Sequence, residues 1–173
     1  MIIRGATAAD IPQIIEIWNP VIRKSVATFT TEEKTAADIA KSLAERAAMG
    51  HAFLVACEGA QILGFATCFP FRGGPGYVYT LEHTVIVAPS ACGQGIGGFL
   101  MSALEDAARK AGARHLIAAV SGENTGAVSF HETIGFRKVG HLPNVGRKFG
   151  RWMDLILLQK TLTDPTDNQS ETG

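Results

Sequence analysis

Cysteine is scarce in this chain, and with it most features that would assign the protein to a specialised class. Cys57, Cys68 and Cys92 stand alone among 173 residues. An odd number at wide spacing supports neither a disulfide framework nor a Cys-x-x-Cys metal site. Net charge is lacking as well: 16 basic residues balance 16 acidic ones, which argues against a general nucleic-acid or membrane-surface binder. No apolar run reaches the roughly 20 residues of a membrane span. The start, Met1-Ile-Ile-Arg4, runs straight into Gly-Ala-Thr7 without the apolar stretch and cleavage site of a secretory signal. Internal repeats, low-complexity blocks and domain linkers are missing too. These absences lead to the expectation of a reduced, cytoplasmic protein with no metal, no nucleic-acid partner and no membrane attachment.

What is present reads as one domain over residues 1–162, large enough to bury a core unaided. Thr7-Ala-Ala-Asp10 resembles a capping box with Asp in place of Glu, and Ile11, Ile14, Ile15 and Trp18 follow at helical spacing. A short strand from Ile2 to Arg4 therefore precedes a first helix. Phe29-Thr30-Thr31-Glu32-Glu33 reads as the start of a second helix, with Ala36, Ile39, Ala40, Leu43 and Ala47 on its apolar face. Ala52 to Cys57 and Ile62 to Phe69 form a hairpin, and Arg72-Gly73-Gly74-Pro75-Gly76 makes a loop. A long strand from Tyr77 to Val87 comes next, and Ile96 to Gly112 carries the strongest helical period. A strand from His115, a short helix capped by Asn124 and closed by Gly135, and strands from Phe136 to His141 and Arg151 to Leu162 complete the order. A Pro/Gly/basic connection separates those last two strands. Residues 163–173 contain no apolar side chain and are expected to be a disordered tail. The pattern implies a mixed α/β sheet with helices on both faces.

The most informative stretch is Gly93-Gln94-Gly95-Ile96-Gly97-Gly98, between a strand and a helix. Glycines there expose backbone N–H groups to an anion. The spacing also satisfies a dinucleotide fingerprint, but Ala88 to Cys92 separate the strand from the first glycine, where the fingerprint needs a tight turn. The acidic residue required about 20 positions on would fall near His115, where there is none. A P-loop needs Lys and Ser/Thr after its last glycine, whereas Phe99-Leu100 follow here.

Thr84-Val-Ile-Val-Ala-Pro89, the glycine loop, Asn124 and Phe130-His-Glu-Thr-Ile-Gly-Phe136 together resemble the GCN5-related N-acetyltransferase (GNAT) family. More narrowly, Phe29-Thr-Thr-Glu32, Tyr79-Thr-x-Glu82-x-Thr84-Val85, His131-Glu132 and Gly150-x-Trp152-x-Asp154 resemble its phosphinothricin and methionine sulfoximine acetyltransferases. The resemblance covers residues 2 to about 162. It implies a GNAT fold, a mostly antiparallel, twisted mixed sheet splayed in the middle, and acetyl-CoA as co-substrate. It further implies that backbone groups of Gly93 to Gly98 hold the pyrophosphate and that Val85, Ile86 and Val87 pair, strand-like, with pantetheine. Asn124 would add a contact near pantetheine beside its capping role. Cys92 departs from the Arg or Gln that usually opens the family's loop signature, which removes one side-chain contact and leaves the backbone cradle. A β-bulge in the long strand is also implied, so side-chain faces along it stay open.

The acceptor amine must lose a proton before it can attack a carbonyl, and Glu82 is the carboxylate available for that step. On the residues alone a solvent-facing glutamate reads equally well; the resemblance implies the base. His131 occupies the position of a residue that protonates the leaving thiolate, although as a lone helix histidine it also reads as structural. Arg72 can grip a substrate carboxylate bidentately, with Gly73 and Gly74 offering backbone contacts, or can be a solvated loop arginine. The sides taken by His83 and Tyr79 are open. Cys92 sits too far along the loop for a thioester role. The expectation is acetyl transfer to the α-amino group of a small amino acid or analogue, in a ternary complex, by a homodimer joined partly through the late hairpin. Transfer to another amine, such as a protein N-terminus, polyamine or aminoglycoside, and a non-catalytic CoA-binding module are the alternatives.

Overall fold

The structure, a computed structural model, describes residues 1–162. The expected tail lies outside them. Seven strands form one sheet in the order β1-β2-β3-β4-β5-β7-β6: β1 (Ile2–Gly5), β2 (Phe53–Glu58), β3 (Gln61–Pro70), β4 (Thr80–Val87), β5 (His115–Ser121), β6 (Arg137–Lys148) and β7 (Arg151–Thr161). Neighbours pair antiparallel except β4 and β5, which run parallel. Among the described residues four α-helices accompany the sheet: α1 (Ile11–Lys24), α2 (Ala36–Ala48), α3 (Ile96–Lys110) and α4 (Thr125–Thr133).

The helices cover both faces, as β3 makes plain. Phe65 turns toward α1, where its ring lies 4.8 Å from that of Trp18. On the neighbouring residue Gly64, a Cβ would point the other way and meet Leu100 of α3 at 3.3 Å. Successive strand residues alternate faces, so α1 and α3 sandwich the sheet between Ile14 and Phe65 on one side and Leu100 and Leu104 on the other, all with no exposed surface.

Three boundaries differ from the sequence expectation, each for a stated cause. Helix α2 starts six residues or so beyond Phe29, at the capping box Thr35-x-x-Asp38, whose side chains exchange hydrogen bonds with each other's backbone. The expected start at Phe29 to Glu33 is prevented because buried Asn19 holds both the N–H and the C=O of Lys34. The long strand begins at Thr80, since Pro75–Tyr77 forms a tight 3-10 turn. Strand β6 runs on to Lys148 through the expected connection. A register shift between Leu142 and Gly146 absorbs Pro143 and Asn144, and the two-residue turn Phe149-Gly150 has positive φ at both positions, as a tight hairpin requires.

The implied bulge in β4 does not occur. Its pairing with β3 runs without interruption from Gly64↔Val87 to Pro70↔Leu81. Glu82, Thr84 and Ile86 therefore share the face of Phe69, Thr67 and Phe65, toward α1, while His83 takes the opposite face.

Candidate active site

Parallel pairing between β4 and β5 covers only Thr80↔His115, Leu81↔Leu116 and Glu82↔Ile117. Beyond Glu82 the two strands part, and the β5-side edge of β4 from His83 to Val87 lacks a strand partner while its other edge stays bonded to β3. Unpaired backbone in the middle of a sheet needs a partner. The fork opens into a cavity of about 530 Å³, lined on one side by Glu82 to Ile86, on another by Ala118 to Ser121 with Asn124, Ala127 and His131 of α4, and on a third by Trp18, Thr28 to Thr30, Lys34, Arg46 and Phe69.

Glu82 sits at the fork, half-buried, and burial pushes its carboxyl above the ordinary range. Phe69, its cross-strand partner, lies under the Arg46 guanidinium at 5.2 Å, and the Lys34 ammonium lies 5.5 Å over the Trp18 ring. Two cations and one carboxylate thus line the same cavity. The loop from Ala27 to Thr30 forms a wall because Lys148, buried in β6, holds the Ser25 and Thr28 carbonyls at 2.8 Å each. The Phe29 ring fills the place that a side chain at Gly146 would need.

His131 and His83 meet below the fork, Nε2 to Nε2 at 3.0 Å. His131 Nδ1 lies 2.7 Å from the Ala127 carbonyl, which can only accept, so Nδ1 carries the proton. Its neutral Nε2 then accepts, and His83 Nε2 donates. Burial lowers the pKa of both rings, for His83 with further opposition from His131, and both stay neutral near pH 7. Both His131 nitrogens are engaged within the protein, so the expected proton donor has no free N–H directed at the fork.

The glycine loop leads into α3 with φ of 79° at Gly93 and 76° at Gly95, the residue preceding the helix. Gly98 has open space around the position of a Cβ, whereas Gly97 is closed in by Phe130 at 3.3 Å. Ile96 is buried in the core, so only its backbone can serve a ligand. Gln94 turns its amide onto the Ser90 carbonyl. The first-turn N–H groups of a helix have no partner within it and carry positive dipole. The cavity lining reaches Ile86 on β4 and does not include Val87 or Gly93 to Gly98; an unpartnered strand edge and a glycine-flanked helix start are the features that suit an extended ligand ending in a phosphate. Asn124 caps α4 by accepting from the Ala127 N–H at 3.2 Å and also lines the cavity.

Arg72, Gly73 and Gly74 are exposed and are not part of the cavity wall; the Arg72 guanidinium lies over Phe71 at 5.5 Å. Tyr79 is exposed, and His83 faces α4 rather than the acceptor side. The cavity's own guanidinium is Arg46, which sequence reading missed. Its only signal there was a basic residue in the last turn of an amphipathic helix, an ordinary choice against the helix dipole.

Comparison with known proteins adds independent information. The acetyltransferase (GNAT) family model matches residues 13–136. The L-methionine sulfoximine/L-methionine sulfone acetyltransferase of Pseudomonas paraeruginosa is 37% identical over 168 residues, 95% of either chain. An L-amino acid N-acyltransferase of Escherichia coli is 33% identical over 167 residues, 96% of this chain and 97% of its own. The crystal structure of a phosphinothricin acetyltransferase from Sinorhizobium meliloti in complex with acetyl-CoA superposes with a TM-score of 0.91, at 29% identity, over 99% of this chain and 94% of the other.

Proposed function

The chain belongs to the acetyltransferase (GNAT) family, and from that premise we propose that it transfers acetyl from acetyl-CoA to the α-amino group of a small amino acid or analogue, of the phosphinothricin, methionine sulfoximine or methionine sulfone type. One observation carries the reading: a half-buried carboxylate, Glu82, stands where β4 and β5 part, inside the cavity and at the end of an unpaired strand edge. Acetyl-CoA supplies the activated acyl group. The β4 edge at Val85, Ile86 and Val87 pairs with its pantetheine, and the N–H groups from Gly93 to Gly98 hold its pyrophosphate. Asn124 borders the pantetheine side.

Glu82 takes the proton that the acceptor ammonium must lose, directly or through water. Its raised pKa brings it closer to the amine it serves, which makes it a stronger base than an exposed carboxylate. A backbone N–H in the Val85 region faces the oxygen that becomes negative on attack. A thiolate is a tolerable leaving group near cellular pH, so no acid is obligatory, and His131 serves as one only after its bond to His83 opens and its bare Nε2 takes up a proton. Arg46 and Lys34 against a single carboxylate favour an anionic acceptor over polyamines and aminoglycosides. The proposal extends to a homodimer, supported by Val139, Val145, Phe149 and Trp152, which are exposed on the β6–β7 hairpin, and to a cytoplasmic enzyme, supported by its three unpaired thiols.

The test is thiol release from acetyl-CoA with a panel of amines, followed by Glu82→Gln. The variant loses about 10²- to 10⁴-fold in kcat, the range for removal of a general base, and keeps its affinity for acetyl-CoA. In the parent enzyme, kcat/KM for the acceptor rises with pH through the raised Glu82 pKa, because only the ionised carboxylate accepts a proton. No turnover with any amine, alongside intact acetyl-CoA binding, identifies a CoA-binding module instead.

A further inference from the structure

We propose that Arg46 is the residue that reads the acceptor, binding its carboxylate while Glu82 meets the amine on the same α-carbon; the proposal rests on the reading of this cavity as the acceptor site. Four other arginines already have carboxylate partners at hydrogen-bond distance: Arg4 with Asp10, Arg23 with Glu33, Arg109 with Asp106 and Arg151 with Glu123. Arg46 differs. Its nearest acid, Glu45, stands 3.7 Å away, beyond a hydrogen bond, and its buried Nε has no partner. The side chain is nonetheless only 14% exposed. A guanidinium withdrawn from water with an unmatched donor lacks an acceptor that the fold itself does not supply.

Its setting specifies that acceptor. The guanidinium lies 5.2 Å over the Phe69 ring, which restrains the plane of its fork. Phe69 is the cross-strand partner of Glu82 and on the same face, and paired residues stand only about 5 Å apart in an antiparallel sheet. The guanidinium, reaching over Phe69 from α2, and the general base, on the strand paired with Phe69, thus line one cavity. An α-amino acid places its carboxylate and its amine on one carbon, and so fits between them with each group on its counterpart. A planar fork matches a carboxylate bidentately, which a lysine cannot do. Lys34, across the cavity over Trp18, is left to the far end of the acceptor. Neighbouring His51 adds no competing charge, since burial and the charge of Arg46 keep it neutral. The specificity that follows is for a free α-carboxylate.

The experiment compares L-methionine sulfone with its carboxamide, by calorimetric binding in the presence of CoA and by turnover with acetyl-CoA, in the parent protein, Arg46→Gln and Arg46→Lys. The parent is expected to bind the acid about ten- to a hundredfold more tightly than the amide, the range for a hydrogen bond to a charged partner in a buried site. Arg46→Gln loses that preference, with CoA affinity within about twofold of the parent. Arg46→Lys, which keeps the charge and guards against a folding defect, retains part of it. Undiminished preference in Arg46→Gln, or equal losses on acid and amide, overturns the assignment, as does a parent that binds both alike. Turnover separates the two readings. Arg46-dependent preference without thiol release leaves the anion site standing and removes the acetyltransfer reading; turnover with no Arg46-dependent preference does the reverse.

Discussion

Lys160→Met should be among the most damaging single changes outside the cavity, and its cost can be worked from the contacts it breaks. The Lys160 ammonium on β7 lies 2.7 Å from both oxygens of Glu105 on α3 and 2.7 Å from the Ile134 carbonyl at the end of α4. It joins a strand to both helices that border the fork. Glu105 is 6% exposed. Without Lys160, its nearest remaining cation is Arg109 at 3.6 Å, which is 41% exposed and already bound to Asp106 at 2.6 Å. Breaking a buried pair leaves an uncompensated charge and costs about 3–5 kcal/mol. The Lys160 side chain is 23% exposed, so water reaches the vacated side and the lower end, about 3 kcal/mol, applies. Urea unfolding monitored by circular dichroism should show this as a midpoint lower by about 1.5 M at an unchanged slope near 2 kcal/mol/M. Glu105→Gln costs less, about 1 kcal/mol, because the freed ammonium can hydrate. The double variant Lys160→Met, Glu105→Leu removes both charges and returns toward the parent. Single costs below about 0.5 kcal/mol that simply add in the double variant would refute the reasoning, because coupled neighbours are not additive.

Two further outcomes are expected. Gly95→Ala forces an L side chain to φ of 76°, a conformation costing about 1–2 kcal/mol, and turns the N–H groups at the start of α3; CoA affinity measured by calorimetry should fall about tenfold, and unchanged affinity would separate this loop from the pyrophosphate. The hydrogen-bonded Arg4 guanidinium, with Thr7 assisting, holds the Asp10 carboxyl down at about 2 from 3.8. A lowered carboxyl stabilises the fold above its unfolded pKa, so about 2 kcal/mol should be present at neutral pH and disappear as pH falls from about 4 toward 2; Asp10→Asn should flatten that limb in urea titrations at successive pH values.

Elements set by local chemistry were legible in the sequence. Thr7 and Asp10 announced α1, the apolar period from Ile96 announced α3, and the Asn124 cap announced α4, because each signal acts within a few residues. The departures came from contacts between distant residues. No local rule could place the start of α2 at Thr35 while Asn19, sixteen residues earlier, decides the conformation of Lys34. The turn at Phe149 carried no Asn-Gly signature, so β6 read as ending early. In the site, Glu82 and the glycine loop were visible because each lies in one continuous stretch. Arg46, on α2, was not, since its meaning depends on Phe69 and Glu82 from two strands further along the chain. Arg72 drew attention by its place in a glycine loop, and the structure leaves it on the surface.

The fork itself has a physical cause that unites these residues. His83 and Glu82 are consecutive on a strand whose alternation is unbroken, so they emerge on opposite faces. On its own face the His83 ring packs 5.1 Å from His131 and 5.4 Å from Phe136, and these rings fill the space toward α4 where β4 and β5 stop pairing. The cavity is thereby bordered on the α4 side by neutral, hydrogen-bonded rings together with Asn124 and Ala127, and on the α1 side by Trp18, Lys34 and Arg46. Glu82 is the last β4 residue still paired to β5 and the first acid at the opening. Its carboxyl is raised by burial alone, with no positive partner tying it down. A base placed this way is anchored by pairing on both strand edges, exposed to the acceptor on one face, and adjacent to the unpaired edge that receives the acyl donor. The arrangement depends on the order of two residues: exchanging Glu82 and His83 would keep the composition, turn the carboxylate into the ring cluster, and leave an imidazole in its place at the acceptor side.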